Sequence, residues 1–561
     1  CAAEFAAKTP YYYSTYEPYQ EVGIDHIPHM EQRTKQRMVT IGSGPIRIGQ
    51  GIEFDYGCVH AVMAIRAAGM DAILINNNPE TVSTDFDTSD RLYFDPLTNE
   101  CVSEILLREK AHGILLQFGG QTAINLAIPL EKRLPHLSSK GADVSILGTT
   151  VDGIDEASDR ERFEAFAKKH GLRMPNGATG TSSEDIRKAV DQIGFPVLIR
   201  PSYVLGGRGM EILSNESQLE AYLKEAYLAP DKPLLVDEYL GHATELDVDA
   251  AADGKEVLVG AIMEHLEEAG IHSGDSTCFI PTQNISEEML KRVDEQTRII
   301  GLGLKIKGCF NIQFAIQGDD LYVLEVNPRS SRTVPFVAKS SGLPLAKIAA
   351  NVTIGISLSE QTIPKRTSGQ ICVKAPVFPF IKLRGLDPAP GPEMKSTGEV
   401  YGSDISADVA YLKARLATEV PVAADGGVYL TVRDEDKHEL APIAKELYDL
   451  GFTLYATPGT ADILRDHDIL VTTVYRITDR KHPDALDLMR QGDISFIVNV
   501  PTISGGAVRD GNMMRRLAVE LNIPFVTTIR GARMEAAAIR ALIEKEIIPR
   551  KLEVHYDSKF L

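Results

Sequence analysis

A chain of 561 residues, 43% hydrophobic and 24% charged, has ordinary globular composition and length for about four domains, which excludes bulk disorder and fibrous repeats. With 59 basic against 78 acidic residues the net charge is −19, which argues against a nucleic-acid sleeve, because such binding rests on phosphate neutralisation. No apolar run reaches the roughly 18 residues of a membrane span. Six cysteines, at 1, 58, 101, 278, 309 and 372, show neither zinc-like spacing nor a dense disulfide pattern and predict reduced, mostly buried thiols. The chain begins at Cys1 with no signal peptide after it, and so reads as a piece of a longer chain. The expected compartment is the cytoplasm, with the mitochondrial matrix as the alternative.

In chain order, residues 1–37 are tyrosine-rich (Tyr11, Tyr12, Tyr13, Tyr16, Tyr19), then polar, and read as a tail or linker. From 38 to 157 short apolar strands such as MVTIGSG, DAILINNNP and HGILLQFGG stop at glycine or asparagine. They alternate with a helical pattern around GCVHAVMAIRAAG. That order predicts a parallel, doubly wound α/β sheet whose ligands lie beyond the strand C-termini. From 158 to 420 the pattern becomes α+β. ELDVDAAADGKEVLVGAIME and GCFNIQFAIQGDDLYVLEVNP each predict an antiparallel pair, suited to a nucleotide clamp. A proline- and glycine-rich stretch, FPFIKLRGLDPAPGPEMKSTG, closes this part. From 421 to 561 a second doubly wound unit is expected, with five short strands and a last helix at ARMEAAAIRALIEKE.

Six clusters carry chemistry. GSGPIRIGQGIEFDYG offers backbone N–H groups to a small oxyanion, or is merely a tight turn. LIRPSYVLGGRGM sets Arg200 at a strand end, then Gly206, Gly207 and Arg208 in a loop able to close over phosphates. DEYL and ELDVD could hold adenine and ribose at a strand edge, or form a solvated acidic face. Glu325 and Asn327, two apart on a strand, point to one face and with Gln313 offer oxygen ligands suited to magnesium. Arg329 and Arg332 follow and could neutralise a phosphoryl group in transfer. In GIHSGDS, His272, Ser273 and Asp275 read as a turn contacting the nucleotide or its substrate rather than as a hydrolase constellation, there being no nucleophile elbow. Thr457 and Thr460 between a strand and a helix, with Lys481 and Asn499 at later strand ends, form a small phosphate site or a capping turn.

Taken together, CAAEF…YYYSTYE, GPIRIGQGIEFDYG, NNNPETVSTDFDTSDRLYF, QFGGQTAINLA, RPSYVLGGRGM, AGIHSGDS and LEVNPRSSRTVPF resemble the C-terminal half of the carbamoyl phosphate synthetase large chain, over essentially the whole sequence. YATPGT and the strand order resemble that family's MGS-like domain more loosely. The resemblance implies a pre-ATP-grasp Rossmann-like domain, an ATP-grasp domain and a C-terminal doubly wound MGS-like domain, with residues 1–37 ending an oligomerisation domain. It implies phosphorylation of carbamate by ATP with magnesium or manganese, and potassium as a further ion. Implied partners are the N-terminal synthetase half, a glutaminase subunit or domain and a small-molecule effector, in an oligomer without nucleic acid or membrane.

By position, Arg160, Arg200 and the Gly206–Gly207–Arg208 loop would contact phosphates. Glu238, Leu240 and Glu245 would hold adenine and ribose, and Gly270, Ile271, His272 and Ser273 would line the nucleotide site. Gln313, Glu325 and Asn327 would hold metal, with Gln313 and Glu325 also reaching the nucleotide. Arg329, Arg332 and Arg200 would be catalytic, and Thr457, Thr460, Lys481 and Asn499 would bind the effector. The segment PTISGGAVRDGNMMRR leaves the effector's identity open. A non-catalytic ATP- or effector-sensing fragment and another ATP-grasp carboxylate ligase are the alternative expectations.

Overall fold

The structure, a computed structural model, describes residues 11–14, 35–201, 206–225, 233–364, 369–383, 386–501 and 506–549. Its strands form four sheets. In the first, every neighbouring pair is parallel, in the order Tyr11–Tyr12, Arg91–Tyr93, Asp71–Ile75, Arg37–Ile41, Gly113–Leu115, Ser145–Leu147. The inner strands are buried almost throughout, as helices on both faces require. Connections reverse direction at Arg37–Ile41, which opens a crevice beyond its C-terminal end. The helix Ile52–Ala67 leaves that crevice and starts five residues before the expected stretch. Its Gly57 permits close packing, because a Cβ there would stand 3.1 Å from the Phe118 carbonyl oxygen and 3.3 Å from Ser330 Oγ. Tyr11 and Tyr12, expected in a tail, instead extend the sheet's edge, and Tyr12 stacks on Tyr93 with ring centroids 5.0 Å apart. Most of that expected tail lies outside the described residues.

The next two sheets are antiparallel. A four-stranded one runs Gly177–Gly180, Leu234–Glu238, Val197–Pro201, Glu211–Leu213. It is backed by the helix Ser183–Ile193, which starts at a capping box between Ser182 and Asp185. The seven-stranded one runs Asp320–Asn327, Lys307–Gln317, Thr244–Asp253, Val257–Glu268, Cys278–Ile280, Ile371–Val377, Gly398–Asp404. Both expected hairpins are present, and the second pairs Gln317 with Asp320 at its turn. The strands of DEYL and ELDVD are interior rather than edge strands, and Glu245, Asp247 and Asp249 are buried rather than solvated. Alternation had marked a polar face correctly, but that face is packed against His265, Asn311, Ser331 and Thr333 instead of lying in water. Asp249 is satisfied there by Ser331 Oγ and Thr333 Oγ1, each at 2.6 Å, and by Asn311 Nδ2 at 3.0 Å.

The fourth sheet is parallel, in the order Thr472–Thr473, Thr453–Ala456, Gly427–Thr431, Phe496–Asn499, Phe525–Val526. Its alanine-rich helix Ile529–Glu544 packs on this sheet and also against the helix Ala407–Leu416 beside the seven-stranded sheet. There the fully buried Glu535 accepts from Tyr411 Oη at 2.8 Å and from Arg415 Nε at 3.0 Å. Among the described residues no helix is long and apolar enough to cross a membrane. Cys58, Cys278, Cys309 and Cys372 are buried free thiols, and Cys101 is half-buried.

Candidate active site

A cavity of about 370 Å³ lies between the two antiparallel sheets and opens toward the crevice of the first parallel sheet. Every residue of the expected nucleotide, metal and transfer sets lines it except Arg208, whose side chain is exposed outside it. The neighbours Ser202–Leu205 of the glycine loop lie outside the described residues.

Strand register explains how the oxygen donors meet. Gln313 stands directly opposite Glu325 on the paired strand, and Asn327 lies two residues along the same face. Asn327 Nδ2 donates to Glu325 Oε1 at 2.6 Å, leaving the amide oxygen to accept from Arg329 Nη2 at 3.0 Å. One carboxylate and two amide oxygens suit a hard cation that keeps water and phosphate oxygens as its other ligands.

Arginines form a line across the floor. Arg160 Nη2 lies 2.9 Å from Asp237 Oδ1, and Arg200 Nε donates to Asp237 Oδ2 at 3.1 Å. Arg200 Nη1 then reaches within 3.8 Å of Glu325 Oε2. Asp237, the first residue of DEYL and given no role of its own by the sequence reading, anchors both arginines. Arg329 is held by Gln121 Oε1 at 3.1 Å and lies over the Phe54 ring at 5.7 Å. Burial and the neighbouring Arg332 lower its guanidinium to about 10, although Glu325 opposes them, so it remains charged at neutral pH. Gln121 was not assigned from the sequence; its position in QFGGQTAINLA, just past a parallel-strand end, was the available signal.

Carboxylates and histidines behind this line differ in charge. Burial raises Glu245 to about 7 and Asp249 to about 6. Burial pushes Asp247 up too, but the hydrogen bond from His265 at 3.0 Å and its charge, together with Asn311 and Lys374, outweigh it and keep Asp247 ionised. His272 is driven well below its ordinary value by burial and by Arg332, whose Nη2 lies 3.3 Å from Nε2. Asp275 accepts from the N–H groups of Lys395 and Ser396, so it does not orient His272, and these three residues form no hydrolase triad. Glu238 accepts from Asn176 Nδ2 at 2.7 Å at the cavity mouth, and Leu240 is buried beside it.

The expected effector residues sit elsewhere. Thr457 follows, and Asn499 is the last residue of, the strands that flank Gly427–Thr431, where that sheet's order reverses. Thr460 is buried in the first turn of the helix Pro458–Asp466. Lys437 Nζ reaches that turn, 2.9 Å from where a Cβ on Gly459 would stand, a cation the sequence reading did not join to it. Lys481 is exposed over the Tyr475 ring at 5.6 Å, and Asn499 is occupied by Arg515. The one cluster of three metal-type side chains among the described residues, His482, Asp484 and Asp487, is a helix cap, in which Asp487 N donates to Asp484 Oδ1 at 3.0 Å.

Comparison with known sequences is consistent along the chain. Residues 34–156 match the carbamoyl phosphate synthase preATP-grasp domain, 159–361 the carbamoyl-phosphate synthase L chain ATP binding domain, and 439–527 the MGS-like domain. Over 552 residues the chain is 49% identical to the carbamoyl phosphate synthase large chain of Methanosarcina acetivorans, covering 97% of this chain and 50% of that protein. It is 47% identical over 564 residues to the carbamoyl phosphate synthase large chain, C-terminal section, of Methanocaldococcus jannaschii, covering 98% of this chain and 89% of that protein. The chain thus spans about half the length of the undivided large chains it matches. Solved structures share the fold at low identity. An ADP complex of N5-carboxyaminoimidazole ribonucleotide synthetase aligns with a TM-score of 0.53 at 13% identity, over 68% of this chain and 96% of that one. The biotin carboxylase domain of Hydrogenobacter thermophilus 2-oxoglutarate carboxylase aligns with a TM-score of 0.53 at 17% identity, over 68% and 90%.

Proposed function

The chain belongs to the carbamoyl phosphate synthase large-chain family, as its C-terminal section, and on that premise we propose that it phosphorylates carbamate with ATP to give carbamoyl phosphate and ADP. The observation carrying this is the continuous line Arg160–Asp237–Arg200–Glu325–Asn327–Arg329 along one cavity wall.

In this reaction a carbamate oxygen attacks the γ-phosphorus, and the bond from phosphorus to the ADP oxygen breaks with its electron pair staying on ADP. The attacking oxygen is already anionic, so no general base is required, in keeping with a cavity whose histidine, His272, is held neutral. What the reaction needs is in-line placement and charge neutralisation. Arg160 and Arg200, pinned by Asp237, orient the phosphates. Arg329, locked by Gln121 and Asn327, and Arg332 face the transferred group. Gln313, Glu325 and Asn327 would hold magnesium or manganese, which supplies charge neutralisation between nucleotide phosphates. Gly206 and Gly207 close over the site and exclude water, which an unstable carbamate requires.

The whole protein would need its N-terminal synthetase half and a glutaminase to supply carbamate, and would work in the cytoplasm. The C-terminal domain is read as a regulatory unit for a small-molecule effector, with the turn at Thr457 and Thr460, beside Lys437, as its anion-binding end; Asn499 is already held by Arg515.

The deciding experiment runs the reaction backward, measuring ATP formed from ADP, magnesium and carbamoyl phosphate by the wild-type chain and Glu325→Ala. Transfer by the wild type and its loss in the variant are expected. No ATP from a folded wild-type chain that still binds ADP would refute phosphoryl transfer by this chain and leave a nucleotide sensor.

A further inference from the structure

Arg515 heads the largest side chains that are fully buried among the described residues, and it lies on the helix Gly506–Glu520 of the C-terminal domain. Its Nε and Nη2 donate to Asp387 Oδ1 at 2.9 Å and Oδ2 at 2.6 Å, a bidentate fork, and Nη1 donates to Asn499 Oδ1. Burial pushes the Asp387 carboxyl up, but the hydrogen bonds and charge of Arg515 outweigh it and leave that carboxyl below its usual range. A buried ion pair is weak evidence for stability, since desolvation offsets most of its attraction. Geometry offers another role. Asp387 is 128 residues from Arg515 and starts a strap, residues 387–396, that runs into the active-site cavity.

The middle of the strap touches His272, Gly206 and Arg332 of that cavity. Lys395 Nζ donates back to the carbonyl oxygens of Asp387 at 3.2 Å and Ala389 at 2.6 Å, closing the strap on itself. The Gly391 carbonyl accepts from His272 N at 2.8 Å, and Met394 N donates to the Gly206 carbonyl at 2.9 Å. Met394 Sδ lies 3.2 Å from Arg332 Nη1. The backbone N–H groups of Lys395 and Ser396 donate to Asp275 at 2.9 Å, fixing the turn that follows His272.

We propose that Asp387 and Arg515 are a positioning pair, through which the C-terminal domain sets the strap and thereby the glycine loop, His272 and Arg332 of the phosphoryl-transfer site. This rests on the reading of that cavity as a nucleotide site. Neither residue touches substrate; both act through the strap.

The test uses the complete chain with MgADP as probe, and reads the dissociation constant by calorimetry and KM and kcat in the back-reaction. Asp387→Asn keeps the volume and one acceptor but removes the charge that aligns the fork. It is expected to weaken MgADP binding about tenfold, raise KM for ADP similarly and change kcat less, with the unfolding midpoint nearly unchanged. Asp387→Glu should recover part of the loss. Combining Asp387→Leu with Arg515→Met should cost no more than either alone, because both sever one link. If Arg515→Met fails to fold, Asp387→Asn decides alone. Binding within twofold of wild type in a folded Asp387→Asn chain, or a Tm loss with no change in KM, overturns the proposal. Failure of the wild type to bind MgADP would instead overturn the nucleotide reading, and this proposal with it.

Discussion

Replacing Gly207 by alanine isolates how closely the glycine loop must approach its surroundings. Gly207 has φ +69°, in the left-handed region, where an alanine costs roughly 1–2 kcal/mol. A Cβ there would stand 2.0 Å from the Pro392 carbonyl oxygen, a backbone atom that cannot swing aside. Real Cβ contacts essentially never fall below 3.0 Å, so loop or strap must move by at least 3.0 − 2.0 = 1.0 Å. A displacement of about 1 Å in a transfer site costs on the order of 100-fold in rate, or about 3 kcal/mol of transition-state stabilisation. The assay is kcat/KM for ATP formation from MgADP and carbamoyl phosphate, and Gly171→Ala serves as reference. Gly171 has nearly the same φ, +68°, but nothing lies within 4 Å of its would-be Cβ. That variant should lose about 1 kcal/mol of stability and keep its activity. Activity within twofold of wild type in Gly207→Ala, or equal losses in both variants, would refute the reasoning.

Two further predictions concern buried charge. Burial raises the Glu245 carboxyl from 4.5 to about 7. Below pH 4.5 it is neutral in both folded and unfolded chains; as pH rises to 7 the unfolded chain releases a proton that the folded chain retains. Stability from this group is therefore lost across pH 4.5–7, by on the order of 3 kcal/mol. Glu245→Gln should be the more stable protein at pH 8 and have the flatter pH profile in chemical denaturation; parallel profiles for the two proteins would sink the idea. Glu535→Gln leaves the half-buried Arg415 guanidinium without its counter-charge and should destabilise by about 3 kcal/mol in urea unfolding. Pairing Glu535→Leu with Arg415→Met should cost less than the two changes summed, and a loss under about 1 kcal/mol in the single variant would show the pair to be dispensable.

Much of the active site was legible because its residues are set by local periodicity. In LEVNP the two-residue repeat of a strand places Glu325 and Asn327 on one face in any tertiary setting, and the Gly-Asp-Asp turn brings Gln313 opposite them. Strands ending in glycine or asparagine likewise marked the first parallel sheet, and short strands alternating with helices marked the second, because such sheets bury continuous apolar runs and offer their ligands at the strand C-termini. The resemblance to a known family added roles to those positions.

Tertiary structure alone decided what covers each face and which distant residues meet. ELDVD shows the limit: period two says that Glu245, Asp247 and Asp249 share a side, but only the packing of Asn311, Ser331 and Thr333 from distant segments makes that side an interior, where burial raises Glu245 and Asp249 while His265 helps keep Asp247 ionised. Asp237 became an anchor for two arginines because Arg160 and Arg200 come from a helix and a strand that chain spacing does not relate. Arg208 turned away from the cavity although its neighbours Gly206 and Gly207 line it. Asp387 and Arg515 lie in segments with no shared periodicity, and their fork exists only once the C-terminal domain is packed against the strap. Local sequence sets the direction of a side chain relative to its own backbone; charge state and long-range partners depend on the dielectric and the groups that packing brings to that side.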